Sequence, residues 1–213
     1  MIGLRSRTPA VAEHRLLRDG HQRVATRRRP RTGWRRWVVT LAATAISTYA
    51  LDAFATAVGV ALVASDLFAG LEHRVLYGVL ATTYVLWGLG LRVNLVANGD
   101  LLEQTGTSTS APSKLLYDLA ARGSSNTHRA RRRRRRAAAL GYIATELAKE
   151  LPYYAGAFGV AAASDWVDSS AAIVFLAGTN VGAAIYEAAV GAATRLLLRG
   201  ALARPVPARA TRR

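Results

Sequence analysis

Four long apolar stretches, separated by short polar connections or arginine-rich segments, constrain this chain more than any other feature. They cover residues 37–64, 74–97, 136–163 and 171–198. At about 1.5 Å per residue, each is long enough as a helix to cross a hydrocarbon layer of roughly 30 Å. Helices of a water-soluble bundle keep a polar face, and residues 53–64 have none beyond Thr56. The sequence therefore predicts an all-α polytopic membrane protein with four transmembrane helices.

The distribution of charge supports the same prediction. The chain has a formal net charge of +16 although 51% of its residues are apolar. A soluble basic domain would spread these charges, whereas here they are concentrated in blocks between the apolar stretches, as in a polytopic membrane protein. The short connections 65–73 and 164–170 contain no lysine or arginine, while the tail 1–36, the loop 98–135 and the tail 199–213 contain most of the arginines. The positive-inside rule then predicts a plasma-membrane protein with both termini and the loop in the cytoplasm.

Few kinds of chemistry fit the sequence. The absence of cysteine excludes disulfides and thiolate metal sites. None of the four histidines has a neighbour at metal-ligand spacing, so we expect no metal and no other cofactor. The apolar stretches contain no serine–histidine or cysteine–histidine pair, and the chain has no HExxH motif and no P-loop. The sequence therefore predicts that the chain is not an enzyme.

Two parts of the chain resemble each other and predict two tandem helical hairpins, 37–97 and 136–198. Residues 51–61 and 151–161 align without a gap and share six identities, and both stretches then reach the triplet Ala-Ser-Asp. A true duplication would relate the hairpins by an axis along the membrane normal, with the functional site between the first and third helices.

The loop 98–135 has an internal organisation. Pro112 begins a short amphipathic helix that Gly123 ends, and its leucines predict that it lies on the inner membrane surface. An unbroken arginine run follows, comprising Arg131, Arg132, Arg133, Arg134, Arg135 and Arg136. Arginines at the inner face bind anionic lipid headgroups or a cytoplasmic partner. Nucleic acid is a weaker candidate because no aromatic residue interrupts the run to stack on bases.

Ionisable residues inside the apolar stretches are the candidate functional groups. The first stretch has Asp52 within a line of threonines at every fourth position, and this line should face the bundle, since an ionisable group facing lipid costs at least roughly 2.5 kcal/mol. The third has Glu146, Lys149 and Glu150 within one turn. Lys149 can pair with Glu146, which leaves Glu150 in need of a partner or a proton. Pro152 removes a backbone donor and weakens that turn.

The fourth stretch adds Asn180 and Glu187, which are seven residues apart and share a helix face. Two interpretations remain open. The acids, with Lys149 as counter-charge, line a path for a cation or proton, and the chain is a small transporter or channel. Alternatively, these groups only pair with one another, and the chain is a non-catalytic membrane scaffold whose arginine-rich segments bind anionic lipid or a cytoplasmic partner.

Four glycines are candidates for close helix packing. Gly178 and Gly182 form a GxxxG step in the fourth stretch, and Gly156 and Gly159 lie in the third. Small residues let helices in a membrane approach closely. They predict packing within one chain or, as the alternative, a homo-oligomer interface.

Overall fold

The computed structural model describes residues 33–122, 127–164 and 168–203, with side chains described as far as residue 200. These residues form five helices and no strand: α1 Trp34–Ala64, α2 His73–Thr105, α3 Ala111–Ala121, α4 His128–Ala163 and α5 Ser169–Ala203. The described part of the chain is therefore all-α, as predicted. The predicted tails, 1–36 and 199–213, and the second Ala-Ser-Asp triplet lie largely or partly outside the described residues.

Local signals in the sequence place the helix ends. The Ser110 side chain accepts a hydrogen bond from the Ser113 backbone N–H at the start of α3, and Thr127 does the same for Ala130 at the start of α4. Asp168 Oδ1 accepts the Ala171 N–H in the first turn of α5. Gly106 ends α2 in the left-handed conformation, with a φ of 72° that favours glycine.

Two helices extend further toward the loop than the hydropathy pattern predicted. Residues 98–105 belong to α2 and residues 128–135 to α4, although both segments were expected in the loop. Hydropathy missed them because they are polar, but Asn98 and Leu102 are buried inside the bundle and hold the end of α2 in place. Arginine and alanine are good helix formers, so the run following the Thr127 cap continues as helix.

Helix α5 is the central helix of the bundle. It packs extensively against both α1 and α2, while α1 and α2 do not pack extensively on each other despite their short connection. Small residues allow the two close approaches. A methyl group added at Gly178 would lie 2.7 Å from the Gly59 Cα of α1, and one added at Gly191 would lie 2.9 Å from the Asn94 Cα of α2. Glycine is therefore required on two faces of the same helix.

Helix α4 runs from one end of the bundle to the other. Arg131, in its first turn, forms an ion pair with Glu103 near the end of α2. Beyond its other end, the Ser169 hydroxyl lies 2.8 Å from His73 Nε2, at the start of α2. We call the end with the Arg131–Glu103 pair the arginine end, and the end with the His73–Ser169 contact the histidine end. Helices α1 and α4 both run from the arginine end to the histidine end.

The bundle exposes apolar side chains and buries polar ones. Ile46 and Tyr49 on α1 are 70% and 78% exposed, whereas Asn94 and Glu187 are each 1% exposed. In water, such a continuous apolar surface would favour aggregation, while in lipid it is solvated. Helices α1, α2 and α5 are each long and apolar enough to cross a membrane. The length and composition of these three helices therefore indicate a membrane protein. Helix α4 has no uninterrupted apolar stretch of the same length, because Glu146, Lys149 and Glu150 lie in its middle.

The structure treats the two halves of the predicted duplication unequally. Helices α1 and α4 run in the same direction, as the repeat requires, but α1 packs on α5 far more closely than α4 packs on α2. Gly59 would contact Phe175 if it carried a methyl group, whereas the aligned Gly159 has open space around it. The internal duplication stays a prediction from the sequence.

Candidate functional site

A small cavity lies at the centre of the bundle, where α1, α2, α4 and α5 meet. Its volume is about 20 Å³, which is room for about one water molecule. Its lining combines ionisable and apolar side chains: Leu51, Asp52, Ala55, Trp87, Glu146, Lys149, Glu150, Tyr153, Thr179 and Ala183. Four of the six predicted path residues, Asp52, Glu146, Lys149 and Glu150, are thus brought together around one space. Helices distant in sequence supply them, because the threonine line of α1 and the charged turn of α4 both face inward.

The three ionisable groups in the charged turn of α4 differ in their partners. Lys149 Nζ donates to Glu146 Oε1 at 2.9 Å, in the i,i+3 pair that the sequence predicted. Glu146 is buried, and Glu150 is half-buried. Among the described residues, Glu150 has no hydrogen bond or ion pair of its own. The cavity therefore contains one neutralised acid, Glu146, and two acids, Asp52 and Glu150, whose carboxyl groups have no such partner among the described residues.

Tyr153 connects this turn to α1. Its hydroxyl lies 3.1 Å from Thr56 Oγ1 and donates to the Asp52 carbonyl oxygen at 3.3 Å. It follows Pro152, which lies inside α4 and cannot donate a backbone hydrogen bond. The side-chain contacts of Tyr153 hold α4 against α1 at the point where the proline weakens the helix. Sequence reasoning missed Tyr153, although its place next to a proline inside an apolar stretch was a usable signal.

Glu187 lies in a second polar cluster adjacent to the first. Asn94 Nδ2 donates to Glu187 Oε2 at 2.5 Å and to the Tyr142 hydroxyl at 2.8 Å. The Tyr142 hydroxyl lies 3.3 Å from both Glu187 oxygens. Glu187 is also near enough to Glu146 for their charges to interact. Sequence reasoning missed Asn94 and Tyr142. The pair Asn94 and Asn98, one helical turn apart at the end of the second apolar stretch, was the signal for the first of them.

Hydroxyl and amide groups continue this cluster toward the arginine end. The Thr109 side chain lies beside the Tyr142 hydroxyl, and the Thr109 N–H donates to Asn98 Oδ1 at 3.2 Å. Asn98 in turn donates to Ser113 Oγ at 2.8 Å and accepts from Ser108 Oγ at 2.7 Å. We call the series from Asp52 through Glu187 and Tyr142 to Asn98 the polar column.

Among the residues that the structure describes, the polar column has no counterpart toward the histidine end. There the buried side chains Leu76, Ile173 and Val174 form an apolar cluster, with Phe68 and Phe158 packed against it. Thr56 and Tyr153 mark the boundary between the two regions. The central cavity is therefore connected by polar groups to one end of the bundle and separated by apolar packing from the other.

Asn180, the remaining predicted path residue, is not part of the column. It is 1% exposed, and neither its amide nitrogen nor its amide oxygen makes a hydrogen bond of standard geometry. Its polar neighbour is Tyr154, which also lies near Glu150 and Tyr84. A buried amide without partners costs about 1–3 kcal/mol of stability, so this position is energetically unfavourable unless a further polar group reaches it.

Helix α3 is held to the bundle by a buried lysine. Lys114 is fully buried, and its Nζ donates to Asp118 Oδ2 at 2.9 Å and lies 5.0 Å from the centre of the Trp37 ring. Leu115 and Leu119 remain nearly half exposed on the other side of α3. The contact of Lys114 with Trp37 therefore links α3 to α1, while the leucines of α3 stay partly exposed.

The arginine run has two kinds of members. Arg131 and Arg135 both bind Glu103, and Arg135 also reaches Asp100 Oδ1 at 2.6 Å. Hydrogen bonds to Glu103 raise the pKa of Arg131 and of Arg135 above the usual range for arginine, so both remain charged. Arg134 lies over the Tyr117 ring at 5.9 Å. The other members of the run, Arg132, Arg133 and Arg136, are exposed.

The four predicted packing glycines also separate into two groups. Gly178 and Gly182 face α1 at distances that leave no room for a side chain. Gly156 and Gly159 are exposed on α4, and a methyl group at either would meet no atom within 4 Å. Only the α5 pair therefore mediates close packing within the described part of this chain.

Within the residues the structure describes, no three His, Cys, Asp or Glu side chains are arranged to bind a metal ion. Comparison of the chain with protein-family models, with curated proteins and with solved structures found no match.

Proposed function

We propose that the chain is a plasma-membrane protein that crosses the bilayer four times, with both termini in the cytoplasm, and moves protons along the polar column. The fourth crossing would be α4. Its support is the full-length course of α4, from the ion pair of Arg131 with Glu103 to the contact of Ser169 with His73. The arginine end would face the cytoplasm, in keeping with the positive-inside rule.

The single observation that carries the proposal is the set of ionisable residues around the central cavity. Asp52, Glu146, Lys149 and Glu150 come from two helices and share a space of about 20 Å³. Ionisable residues inside a membrane are costly, and they characteristically mark ion or proton pathways. A space for about one water suits proton transfer between carboxyl groups better than the passage of a hydrated metal ion.

The connection to one end of the bundle adds direction to the pathway. Hydroxyl, amide and carboxyl groups continue from Glu187 through Tyr142 and Thr109 to Asn98. The apolar cluster around Leu76 and Ile173 blocks the other end. A protein in this conformation would exchange protons with the cytoplasm and would need a rearrangement near Pro152 to release them outside.

Proton flux into proteoliposomes tests the proposal. A pH-sensitive dye trapped in the vesicles would report the decay of an imposed pH gradient. The parent protein should accelerate this decay, and Asp52→Asn or Glu187→Gln should abolish the acceleration while leaving assembly intact. Glu72→Gln is the matched control, since Glu72 is exposed and its side chain caps nothing. A folded, reconstituted parent with no flux above empty vesicles would refute the proposal. Flux that follows a Na⁺ or K⁺ gradient instead would assign a metal cation.

The exposed members of the arginine run favour a second candidate function, a scaffold that binds anionic lipid or a cytoplasmic partner. Arg132, Arg133 and Arg136 point away from the ion pairs that hold their neighbours. Each would contribute roughly 1 kcal/mol near an anionic surface. Replacing all three with glutamine should reduce the anionic phospholipid retained by the detergent-purified protein, with proton flux unchanged.

A further inference from the structure

A groove of about 630 Å³ opens between α2 and α4 on the apolar surface of the bundle. Its volume is in the range of small-molecule sites. The wall is mostly apolar and contains one acid: Tyr84, Ala144, Leu147, Ala148, Glu150, Leu151 and Tyr154. Leu151 is 72% exposed at its rim. A ligand could therefore enter this groove from the lipid phase without crossing the packed interior.

Glu150 belongs to both the groove and the central cavity. Its neighbour Lys149 is already paired with Glu146, and Glu150 has no hydrogen bond or ion pair among the described residues. An acid in an apolar site requires a counter-charge or a proton. The Glu150 carboxylate in the groove therefore favours a positively charged group, while the rest of the wall favours an apolar one.

Two aromatic rings add to this preference. Tyr84 and Tyr154 line the groove from opposite helices, and the faces of such rings attract cations. The groove therefore offers a carboxylate and two aromatic rings among apolar side chains.

From these contacts we infer that the groove admits a lipophilic organic cation from the lipid phase and binds its charged centre at the Glu150 carboxylate. The inference rests on the proposed function and names the substrate class that would exchange for the proton. Because the cation and the proton compete for one carboxylate, binding of the cation releases one proton into the polar column, and charge is conserved at the site.

The charged and titratable groups that face Glu150 come from three helices. They are Asp52 on α1, Tyr84 on α2, and Glu146, Lys149, Tyr153 and Tyr154 on α4. Glu146 is neutralised by Lys149, so Asp52 is the second acid able to hold a proton beside the cation. Acidic solution should therefore weaken binding of the cation.

Equilibrium dialysis of tetraphenylphosphonium against the full chain in detergent tests the inference. The parent should bind this probe at about pH 8 and release it at about pH 5. Glu150→Gln should weaken binding at least about tenfold, Glu150→Asp should retain it, and Glu72→Gln should bind as the parent does. Tyr84→Leu should weaken binding by roughly 3- to 30-fold, the range expected for a lost cation–π contact. Size-exclusion chromatography would show that each variant is folded.

Three results would overturn the inference. The first is equal affinity for the neutral probe triphenylphosphine oxide, and the second is unchanged binding of tetraphenylphosphonium by a folded Glu150→Gln variant. The third is a second copy of the chain occupying the groove. It would appear as disulfide-linked dimers of the Leu151→Cys variant whose amount does not fall when tetraphenylphosphonium is added in excess. If the parent protein conducts protons but does not bind the probe, this inference is wrong and the proposed function stands. If it binds the probe but conducts no protons, the proposed proton pathway is wrong.

Discussion

Nδ2 of Asn94 lies 2.5 Å from Oε2 of Glu187 and connects α2 to α5 deep in the bundle. The same nitrogen donates to the hydroxyl of Tyr142 on α4 at 2.8 Å. One amide therefore links the three helices α2, α4 and α5. Both acceptors are fully enclosed, so neither can turn to water when the amide is removed.

Replacement of Asn94 should be costly for this reason. Asn94→Leu removes the donor that Glu187 and Tyr142 share and leaves them only their longer contact with each other at 3.3 Å. Removing one partner of a buried hydrogen bond costs about 1–3 kcal/mol. We expect a clear drop in the midpoint of thermal unfolding in detergent. Tyr77→Phe, which removes a hydroxyl from an exposed ring on the same helix, should leave the midpoint unchanged. Equal midpoints for both variants would mean that the Asn94 contacts contribute nothing to stability.

The two groups of glycines predict opposite responses to alanine. In Gly178→Ala the new methyl group would lie 2.7 Å from the Gly59 Cα, so α5 and α1 must separate, at a cost of about 1–3 kcal/mol. In Gly156→Ala the methyl group meets no atom within 4 Å, and the helix should gain up to about 1 kcal/mol. Thermal unfolding of the two variants compares these effects directly. A dimer that dissociates on Gly156→Ala, measured by light scattering, would show instead that α4 forms a homo-oligomer interface.

Pro152 should lower the stability of α4 and make the helix easier to bend. Pro152→Ala restores a backbone hydrogen bond inside α4, and proline in a helix interior costs about 3 kcal/mol. We expect a higher unfolding midpoint and slower proton flux, because the turn that would rearrange is stiffer. Leu140→Ala, at an exposed position of α4 outside the groove, is the matched control. A stabilised Pro152→Ala protein with unchanged flux would exclude a role for the proline in gating.

The proposed topology can be mapped with single cysteines, since the parent chain has none. Leu67→Cys and Ser169→Cys should react with a membrane-impermeant maleimide on intact cells, and Arg133→Cys should react only after permeabilisation. Four crossings place the first two positions on one side and the third on the other. Labelling of Ser169→Cys and Arg133→Cys from the same side would mean that α4 does not cross the membrane.

Much of the candidate site could be predicted from the sequence, and the missing part has a common cause. Asp52, Glu146, Lys149 and Glu150 are conspicuous because charge within an apolar stretch is expensive. Asn94, Tyr142 and Tyr153 are ordinary residues in their own helices. They matter because other helices bring Glu187 and Thr56 next to them. Hydropathy does not predict which helices are neighbours in the bundle.

By itself the sequence determined the helical class, the apolar surface and the approximate helix positions, since hydropathy and capping are local properties of the chain. Tertiary structure alone decided that α5 lies between α1 and α2, that Gly178 faces Gly59 while Gly159 faces open space, and that Glu150 borders both a cavity and a groove. The physical reason is that lipid solvates every apolar face equally. Partner choice among these helices therefore depends on where small residues permit close approach and where buried polar groups find each other.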